Sequence, residues 1–339
     1  MDQLPVEQGL DPSARLLEVS NLHVEFRTPD GVLKAVNGLS YSLDEGETLA
    51  ILGESGSGKS VSAQAVMGIV DSPPGFVTAG QARYRGLDLL QLSERELRQI
   101  RGRHIAMIFQ DALTALNPVF TVGFQIAEMF RVHRGLSKSE ARKQAIELMD
   151  RVRIPSAKDR IDDYPHQFSG GMRQRVMIAM ALALDPDVVI ADEPTTALDV
   201  TVQAQIMQLL ADLQAETGMG LLLITHDLGV VAEVADRICV MYAGRVMERA
   251  EIHEVYGNPA HPYTLGLMRS IPRADQKGKR LDPITGAPPN LLDIPLGCEF
   301  HPRCPYMRLV CKEQRPPLYN VGARRQSACH FYEEVLRGN

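Results

Sequence analysis

The most informative segment of the sequence is Leu49-Ala-Ile-Leu-Gly-Glu-Ser-Gly-Ser-Gly-Lys-Ser60. Its first four residues are apolar and predict a buried strand, and Gly53 to Ser60 fit the phosphate-binding pattern G-x-x-x-x-G-K-[ST]. Glycines let backbone N–H groups converge on phosphates, and a helix that starts there adds the positive end of its dipole. The stretch therefore predicts a nucleotide-binding loop between a strand and a helix.

The residue types of this loop match the chemistry of a nucleoside triphosphate. The Lys59 ammonium can reach the β- and γ-phosphates, and the Ser60 hydroxyl can bind Mg²⁺. A chance glycine-rich turn is the alternative, but the strand before it and the helix after it are the context that the motif requires. The predicted ATP-binding residues of the loop are Gly53, Glu54, Ser55, Gly56, Ser57, Gly58, Lys59 and Ser60.

Short apolar runs alternate with helical segments on both sides of the loop. Continuous apolar runs are typical of a mainly parallel sheet covered on both faces, and the alternation predicts an α/β fold. The predicted strands are Leu49 to Leu52, Ile105 to Phe109, Val188 to Ala191, Leu221 to Ile224 and Ile238 to Tyr242, and the predicted helices are Ser60 to Gly68, Val200 to Gln214 and Leu228 to Ala235. Residues 16–43 instead predict short antiparallel strands with a turn at 28–31, and residues 121–184 predict a helical insert.

Two carboxylates, Asp192 and Glu193, follow the apolar run Val188 to Ala191. Because α/β sheets bind ligands at the carboxyl ends of their strands, both are candidates for the nucleotide site. Asp192 can hold Mg²⁺, and Glu193 can act as the general base for the attacking water. An acidic strand end in solvent is the common alternative, and the upstream phosphate-binding loop favours the catalytic interpretation.

A second candidate anion site is Phe168-Ser-Gly-Gly-Met172, which precedes a helical run to Leu184. Ser169 is a favoured N-cap, and a simple cap is the plainer interpretation. Two consecutive glycines, Gly170 and Gly171, exceed what a cap needs. They favour close approach of backbone N–H groups to a phosphate.

Composition excludes several classes of protein. The chain has 339 residues, of which 45% are hydrophobic and 23% charged, an ordinary globular composition. A net charge of −6, no Trp and 5% aromatic residues disfavour a nucleic-acid-binding protein. The first residues lack a secretory signal, and the longest apolar run has nine residues, at 176–184, where a membrane span needs about 20. We therefore expect a cytoplasmic protein that does not itself cross a membrane.

The last part of the chain, residues 258–339, holds 11 of the 21 prolines and four of the five cysteines. Such a composition predicts few regular elements and a thin core, so the segment needs a cross-link such as a disulfide or a metal site to hold one shape. Clustered cysteines in a cytoplasmic chain argue for a metal rather than disulfides. Zinc, a [4Fe–4S] cluster and unliganded thiols all remain possible. The candidate ligands are Cys298, Cys304, Cys311 and Cys329, whereas Cys239 lies in an apolar strand and is predicted to be core.

The chain resembles the ATP-binding subunits of ABC transporters over residues 16–257. The resemblance rests on an ordered set of motifs: the phosphate-binding loop, Gln110, Ser169-Gly-Gly171, Asp192-Glu193, Ala197-Leu-Asp199 and His226. Residues 110–118, 164–175 and 258–264 are further similar to the oligopeptide and dipeptide permease branch of that family. The ending Arg325-Gln-Ser-Ala-Cys-His330 is most similar to the dipeptide permeases.

The resemblance implies roles for single residues. Phe26 would stack on adenine. Gln110 would contact Mg²⁺ and water, while its flanking loop meets the membrane subunit. His226 would contact the γ-phosphate and orient Glu193. The implied catalytic residues are Glu193, His226 and Gln110, and the implied Mg²⁺ ligands are Ser60, Gln110 and Asp192.

The resemblance also implies a dimer of ATP-binding subunits. Ser169, Gly170 and Gly171 of one subunit would close over the ATP held by the other, and Asp199 would cross the interface. Phe168 and Met172 stand where the family usually has Leu and Gln, which affects side-chain contacts but leaves the backbone donors in place. The implied second subunit is a paralogue.

The expected fold is a P-loop ABC nucleotide-binding domain over residues 1–257, with an antiparallel β subdomain and a helical insert at about 121–184. A small irregular Cys-rich domain over 258–339 would follow, with the [4Fe–4S] cluster that the resemblance implies and Zn²⁺ as the alternative. The expected function is ATP hydrolysis that drives import of di- and oligopeptides. The alternatives are a soluble ABC ATPase of nucleic-acid repair or translation and an iron–sulfur redox-sensing ATPase.

The implied partners and location follow from that function. Besides the paralogous subunit, the resemblance implies two transmembrane permease subunits and, indirectly, a periplasmic or extracellular peptide-binding protein. It places the chain at the cytoplasmic face of the bacterial inner membrane as a peripheral protein.

Overall fold

The computed structural model describes residues 9–196, 198–270 and 283–338. The chain divides into two compact units. The first, called here the P-loop unit, contains Asp11–Leu43, Thr48–Gln91 and Ile224–Asn339, and the second, called the helical unit, contains Met1–Leu10, Asp44–Glu47 and Leu92–Leu223. Among the described residues, every helix is too short or too polar to cross a membrane.

The P-loop unit begins with strands that build an antiparallel sheet. Its first elements are β1 (Leu17–Thr28), β2 (Gly31–Leu43), β3 (Thr48–Leu52), α1 (Lys59–Met67), β4 (Gly75–Tyr84) and β5 (Leu87–Asp88). The antiparallel sheet has the order β2-β1-β4-β5. Short strands were expected here, but β1 and β2 have 12 and 13 residues. The β1–β2 hairpin pairs from Leu17–Leu43 to Thr28–Gly31, with register shifts between Val19 and Leu22, between Leu22 and His23, and between Val24 and Glu25.

The helical unit carries the next elements. They are α2 (Glu94–Ile100), β6 (Ile105–Ile108), α3 (Ala112–Ala115), α4 (Val122–Arg134), α5 (Lys138–Arg151), α6 (Ala157–Arg160), α7 (Gly170–Leu182), β7 (Val188–Asp192) and α8 (Val200–Thr217). Strands β6 and β7 are parallel neighbours with every residue buried. Thr121 caps α4, and a Ser137–Glu140 capping box starts α5, so this stretch is helical as its sequence predicts.

Strand β8 (Gly220–Thr225) follows, and its last two residues belong to the P-loop unit. The remaining elements of that unit are α9 (Leu228–Val234), β9 (Arg237–Tyr242), β10 (Arg245–Glu251), α10 (Ile252–Gly257), α11 (Pro262–Arg269), α12 (Leu309–Glu313), β11 (Tyr319–Asn320), β12 (Gln326–Ser327) and α13 (Tyr332–Arg337). β3 pairs in parallel with β9, and β10, β12 and β11 continue from β9 in antiparallel fashion. The five predicted apolar strands are confirmed, each end within one residue.

The cysteine-containing end of the chain shares the core of the P-loop unit. Phe300 and Cys298 are buried in one cluster with Tyr242 of β9 and Tyr263 of α11. A thin core that needs a cross-link was expected for this segment. Its few apolar side chains instead pack against the sheet that carries the P-loop, which explains how an irregular segment is ordered.

Candidate active site

The P-loop, residues 53–60, connects β3 to α1 as predicted. Gly56 and Gly58 have φ values of +77° and +96°, a region that glycine adopts at little cost. A Cβ atom at Gly58 would collide with the backbone carbonyl of Ala35, and one at Gly53 with that of Met241. The conformation of the loop therefore requires glycine at these positions.

Two buried polar side chains of the loop point to a ligand. Lys59 is 4% exposed, and its Nζ donates to the carbonyl oxygens of Gly53 (2.8 Å) and Glu54 (3.1 Å). Ser57 is equally buried, and within the described residues its Oγ has no hydrogen-bond partner. A buried hydroxyl without a partner is costly, so a nucleotide oxygen that bonds to it would remove that cost.

Glu193 lies just past the end of β7 and is held by two donors. Its Oε2 accepts hydrogen bonds from Gln110 Nε2 (3.0 Å) and Thr196 Oγ1 (2.9 Å). Gln110 follows β6, and the parallel pairing of β6 with β7 brings the two carboxyl ends together. Asp192, the last residue of β7, is 5% exposed. The arrangement orients one carboxylate oxygen of Glu193, as a general base requires.

The start of α7 supports both interpretations of the glycine pair. Ser169 is the N-cap, and its Oγ accepts from Met172 N–H at 3.4 Å. A Cβ at Gly171 would lie 2.6 Å from Val202 Cγ1, so packing alone requires this glycine. Gly170 is exposed, and its nearest neighbour would be Leu198 Cδ2 at 3.4 Å. Packing thus accounts for the lack of a side chain at Gly171 but not at Gly170.

Three other predicted site residues lie in different elements. Phe26 lies in β1 with its ring so close to Gly75 that a Cβ there would be 3.0 Å from Cε1. His226 is exposed between β8 and α9. Asp199 caps α8 by accepting from Val202 N–H at 3.0 Å. Ala197, which precedes it in the motif, lies outside the described residues.

The four C-terminal cysteines line one cavity. Burial raises the pKa of Cys298 and Cys329 to about 12 and that of Cys304 to about 11, so these three thiols are protonated at neutral pH. Across residues 9–196, 198–270 and 283–338, no three His, Cys, Asp or Glu side chains are grouped so that they could hold a metal ion. Cys239 is 1% exposed in β9, as predicted for a core residue.

Sequence reasoning missed the contacts of Glu54, the second residue of the P-loop. Its N–H donates to Tyr263 Oη at 3.0 Å, and its carboxylate pairs with Arg303. Arg303 lies 249 positions after Glu54 in the sequence, yet the two side chains are in contact.

Two family descriptions match the chain. "ABC transporter" matches residues 36–196, and "Oligopeptide/dipeptide transporter, C-terminal region" matches residues 247–311. Among solved structures, the chain is similar to a dimeric ATP-binding cassette in a post-hydrolysis state with ADP and Pi. The TM-score is 0.63 at 30% identity, and the match covers 70% of this chain and 98% of that one.

Curated relatives match over nearly the whole chain. The "Oligopeptide transport ATP-binding protein OppD" of Salmonella typhimurium is 51% identical over 97% of this chain and 97% of its own length. The "Dipeptide transport ATP-binding protein DppD" of Escherichia coli is 51% identical over 93% of this chain and 96% of its own length. Oligopeptide and dipeptide proteins are thus equally similar to this chain.

Proposed function

Because the chain belongs to the ABC transporter family, as an ATP-binding subunit of its oligopeptide and dipeptide importers, we propose how its residues turn over ATP. Two ATP-binding subunits hold two ATP molecules between them, and hydrolysis reopens the closed pair. The observation that carries the chemistry is the pair of hydrogen bonds from Gln110 and Thr196 to Oε2 of Glu193.

Glu193 takes a proton from the water that attacks the γ-phosphate. Lys59, which donates to two loop carbonyls in this structure, turns to the β- and γ-phosphates when the nucleotide binds. Ser60, Gln110 and Asp192 offer hydroxyl, amide and carboxylate oxygens, the hard ligands that Mg²⁺ prefers. Bound there, Mg²⁺ would neutralise charge on the phosphates.

The remaining site residues contact the adenine, the γ-phosphate or the ATP of the partner subunit. Phe26 stacks on adenine, and His226 contacts the γ-phosphate. Ser169, Gly170 and Gly171 act on the ATP of the partner subunit, and Asp199 crosses the interface. The N-cap of α7 supports this, because the start of a helix of 13 residues presents free N–H groups to an anion.

Exposed apolar side chains beside Gln110 support docking to a membrane subunit. Phe109, Leu113, Val119, Phe120 and Phe124 are all at least 40% exposed. Exposed apolar residues concentrated in one segment are typical of a protein interface. We propose that two transmembrane permease subunits bind here at the cytoplasmic face of the bacterial inner membrane. The other partners are a paralogous ATP-binding subunit and, indirectly, a peptide-binding protein.

We expect Lys59→Ala to weaken ATP binding about 10–100-fold, because a charge-assisted hydrogen bond contributes about 1.5–3 kcal/mol. Titration of the full chain with a fluorescent ATP analogue measures this. Lys143→Ala, which removes an exposed lysine near Glu147, is the control and should bind like the wild type. Equal affinities for Lys59→Ala and wild type would show that the P-loop lysine does not hold the phosphates.

We propose that Cys298, Cys304, Cys311 and Cys329 hold a [4Fe–4S] cluster whose role is structural. The shared cavity supports the proposal. One zinc ion would bind each sulfur at about 2.3 Å and would thus need sulfurs roughly 3.8 Å apart. A cluster of four irons is larger than one ion, so its ligands stand farther apart. The two groups therefore differ in the spacing that they require of the four sulfurs.

We expect Cys304→Ser to lose the iron and sulfide of the anaerobically purified chain and to expose residues 283–338 to protease, because metal binding can supply folding free energy. Nucleotide binding should remain measurable. Cys239→Ser is the control and should keep iron and sulfide at the wild-type content. One zinc and no sulfide per chain would contradict the cluster, and full protease protection of a metal-free chain would contradict the structural role.

A further inference from the structure

Arg303 and Glu54 form a bidentate ion pair. Arg303 Nη1 donates to Glu54 Oε2 at 2.7 Å, and Nη2 donates to Oε1 at 3.0 Å. The Arg303 side chain is 5% exposed and that of Glu54 26%. Two parallel hydrogen bonds between a guanidinium and a carboxylate fix direction as well as distance. The pair therefore holds the Glu54 side chain in one orientation.

Glu54 is held through its backbone as well. Its N–H donates to Tyr263 Oη, and its carbonyl oxygen accepts from Lys59 Nζ at 3.1 Å. Arg303 thus acts on the residue that also contacts the phosphate-binding lysine. A change in the Arg303–Glu54 pair shifts the start of the loop, because side chain and backbone are fixed at the same residue.

Arg303 is placed by a turn between two of the cysteines, residues 298–304, called here the cysteine turn. It ends a 3₁₀ turn, His301–Arg303, which is closed by bonds from His301 N–H to Cys298 O (3.0 Å) and from Cys304 N–H to His301 O (3.3 Å). The residue directly after Arg303 is therefore a cavity-lining cysteine. If the cysteine turn loosens, the guanidinium loses its position.

The surroundings keep Arg303 charged and confined. Its Nη1 also approaches Tyr242 Oη at 3.4 Å, and its guanidinium lies 6.0 Å from the centre of the Phe300 ring. Burial acts to lower the pKa of Arg303, but the hydrogen bonds with Glu54 and Tyr242 outweigh it and the pKa is raised. Removing Glu54 would leave a buried guanidinium without its carboxylate, which is costly.

We propose that Arg303 is a positioning residue for the P-loop, and that through Glu54 it makes ATP affinity depend on the order of the cysteine turn. The inference rests on the proposed ATP site. It adds a function to the cysteine segment, because the order of this segment then affects the affinity of the P-loop for ATP. Loss of order in the cysteine turn would then lower the affinity of the chain for ATP.

The experiment measures the ATP affinity of the full chain, prepared anaerobically, by titration calorimetry. Arg303→Met should weaken ATP binding about tenfold. Arg303→Lys keeps the charge but cannot form two parallel hydrogen bonds, so its ATP affinity should lie between that of Arg303→Met and that of the wild type. Cys304→Ser should cause a similar loss, and the double variant Cys304→Ser/Arg303→Met should lose no more than Arg303→Met alone. Arg308→Met, which removes an exposed pair with Glu334 in the same segment, should bind like the wild type.

A second double-mutant cycle, with Glu54→Gln and Arg303→Met, tests the proposal even if Cys304→Ser does not fold. Glu54→Gln should weaken binding, and adding Arg303→Met to it should have no further effect. Wild-type affinity in Arg303→Met, or losses that multiply in either double variant, would overturn the inference. Failure of the ATP site itself is distinguishable, because then the wild type would not bind ATP or Lys59→Ala would have no effect.

Discussion

ATP hydrolysis by the assembled transporter is expected to fall by about 10²–10⁴-fold in Glu193→Gln, while ATP binding stays intact. The amide has the same shape as the carboxylate and can still accept from Gln110 and Thr196, but it cannot take the proton of the attacking water. The variant should therefore stay in the closed, ATP-bound state. Steady-state phosphate release and retained radiolabelled ATP measure the two effects.

The control for this experiment is Glu216→Gln. Glu216 is an exposed glutamate of the same unit that pairs with Arg151 at 3.0 Å, and the chemical change is identical. It should hydrolyse ATP at the wild-type rate. If Glu193→Gln did so too, Glu193 would not be the base.

The second large effect is expected from Gly170→Asp. Gly170 is exposed, and a Cβ there meets only ordinary contact with Leu198 at 3.4 Å, so the variant should fold. A carboxylate near a helix start is even favourable in the isolated subunit. Facing the γ-phosphate of the partner's ATP, it should weaken ATP-driven closure on the order of 10²–10³-fold, because like charges a few ångströms apart repel strongly.

Closure can be followed by energy transfer between labelled ATP-binding subunits in the Glu193→Gln background. Gly257→Asp makes the same change where a Cβ meets nothing within 4 Å, and it should close normally. The ATP affinity of the isolated Gly170→Asp chain should be nearly that of the wild type. A loss of that affinity as large as the loss in Lys59→Ala would mean that α7 acts within its own subunit, against the dimer proposal.

Much of the fold was predictable because its signals are local. The strands β3, β6, β7, β8 and β9 are buried over most of their length, and runs of consecutive apolar residues in the sequence predict that burial. The P-loop was predictable because its glycines serve a backbone conformation that other residues adopt only with strain. The contact of Gln110 with Glu193 follows from two parallel strands that end at the same edge.

What the sequence could not predict depends on contacts between distant residues. Gly171 was assigned to phosphate binding, but its lack of a side chain is already required by Val202 in another helix. Arg303 was not singled out, because no periodicity or motif connects it to Glu54. Thr196 was missed as well, although it lies only three residues after Glu193, since a threonine in a loop carries no signal of its own.

We expect ATP hydrolysis at Glu193 to drive peptide import. The direct test is uptake of a radiolabelled dipeptide or short oligopeptide into proteoliposomes that contain the whole transporter, with phosphate release counted in the same vesicles. With the wild-type chain, uptake should require ATP and rise with phosphate release, and with Glu193→Gln both should be lost although ATP is bound. Uptake at the wild-type rate by the Glu193→Gln transporter would contradict the claim.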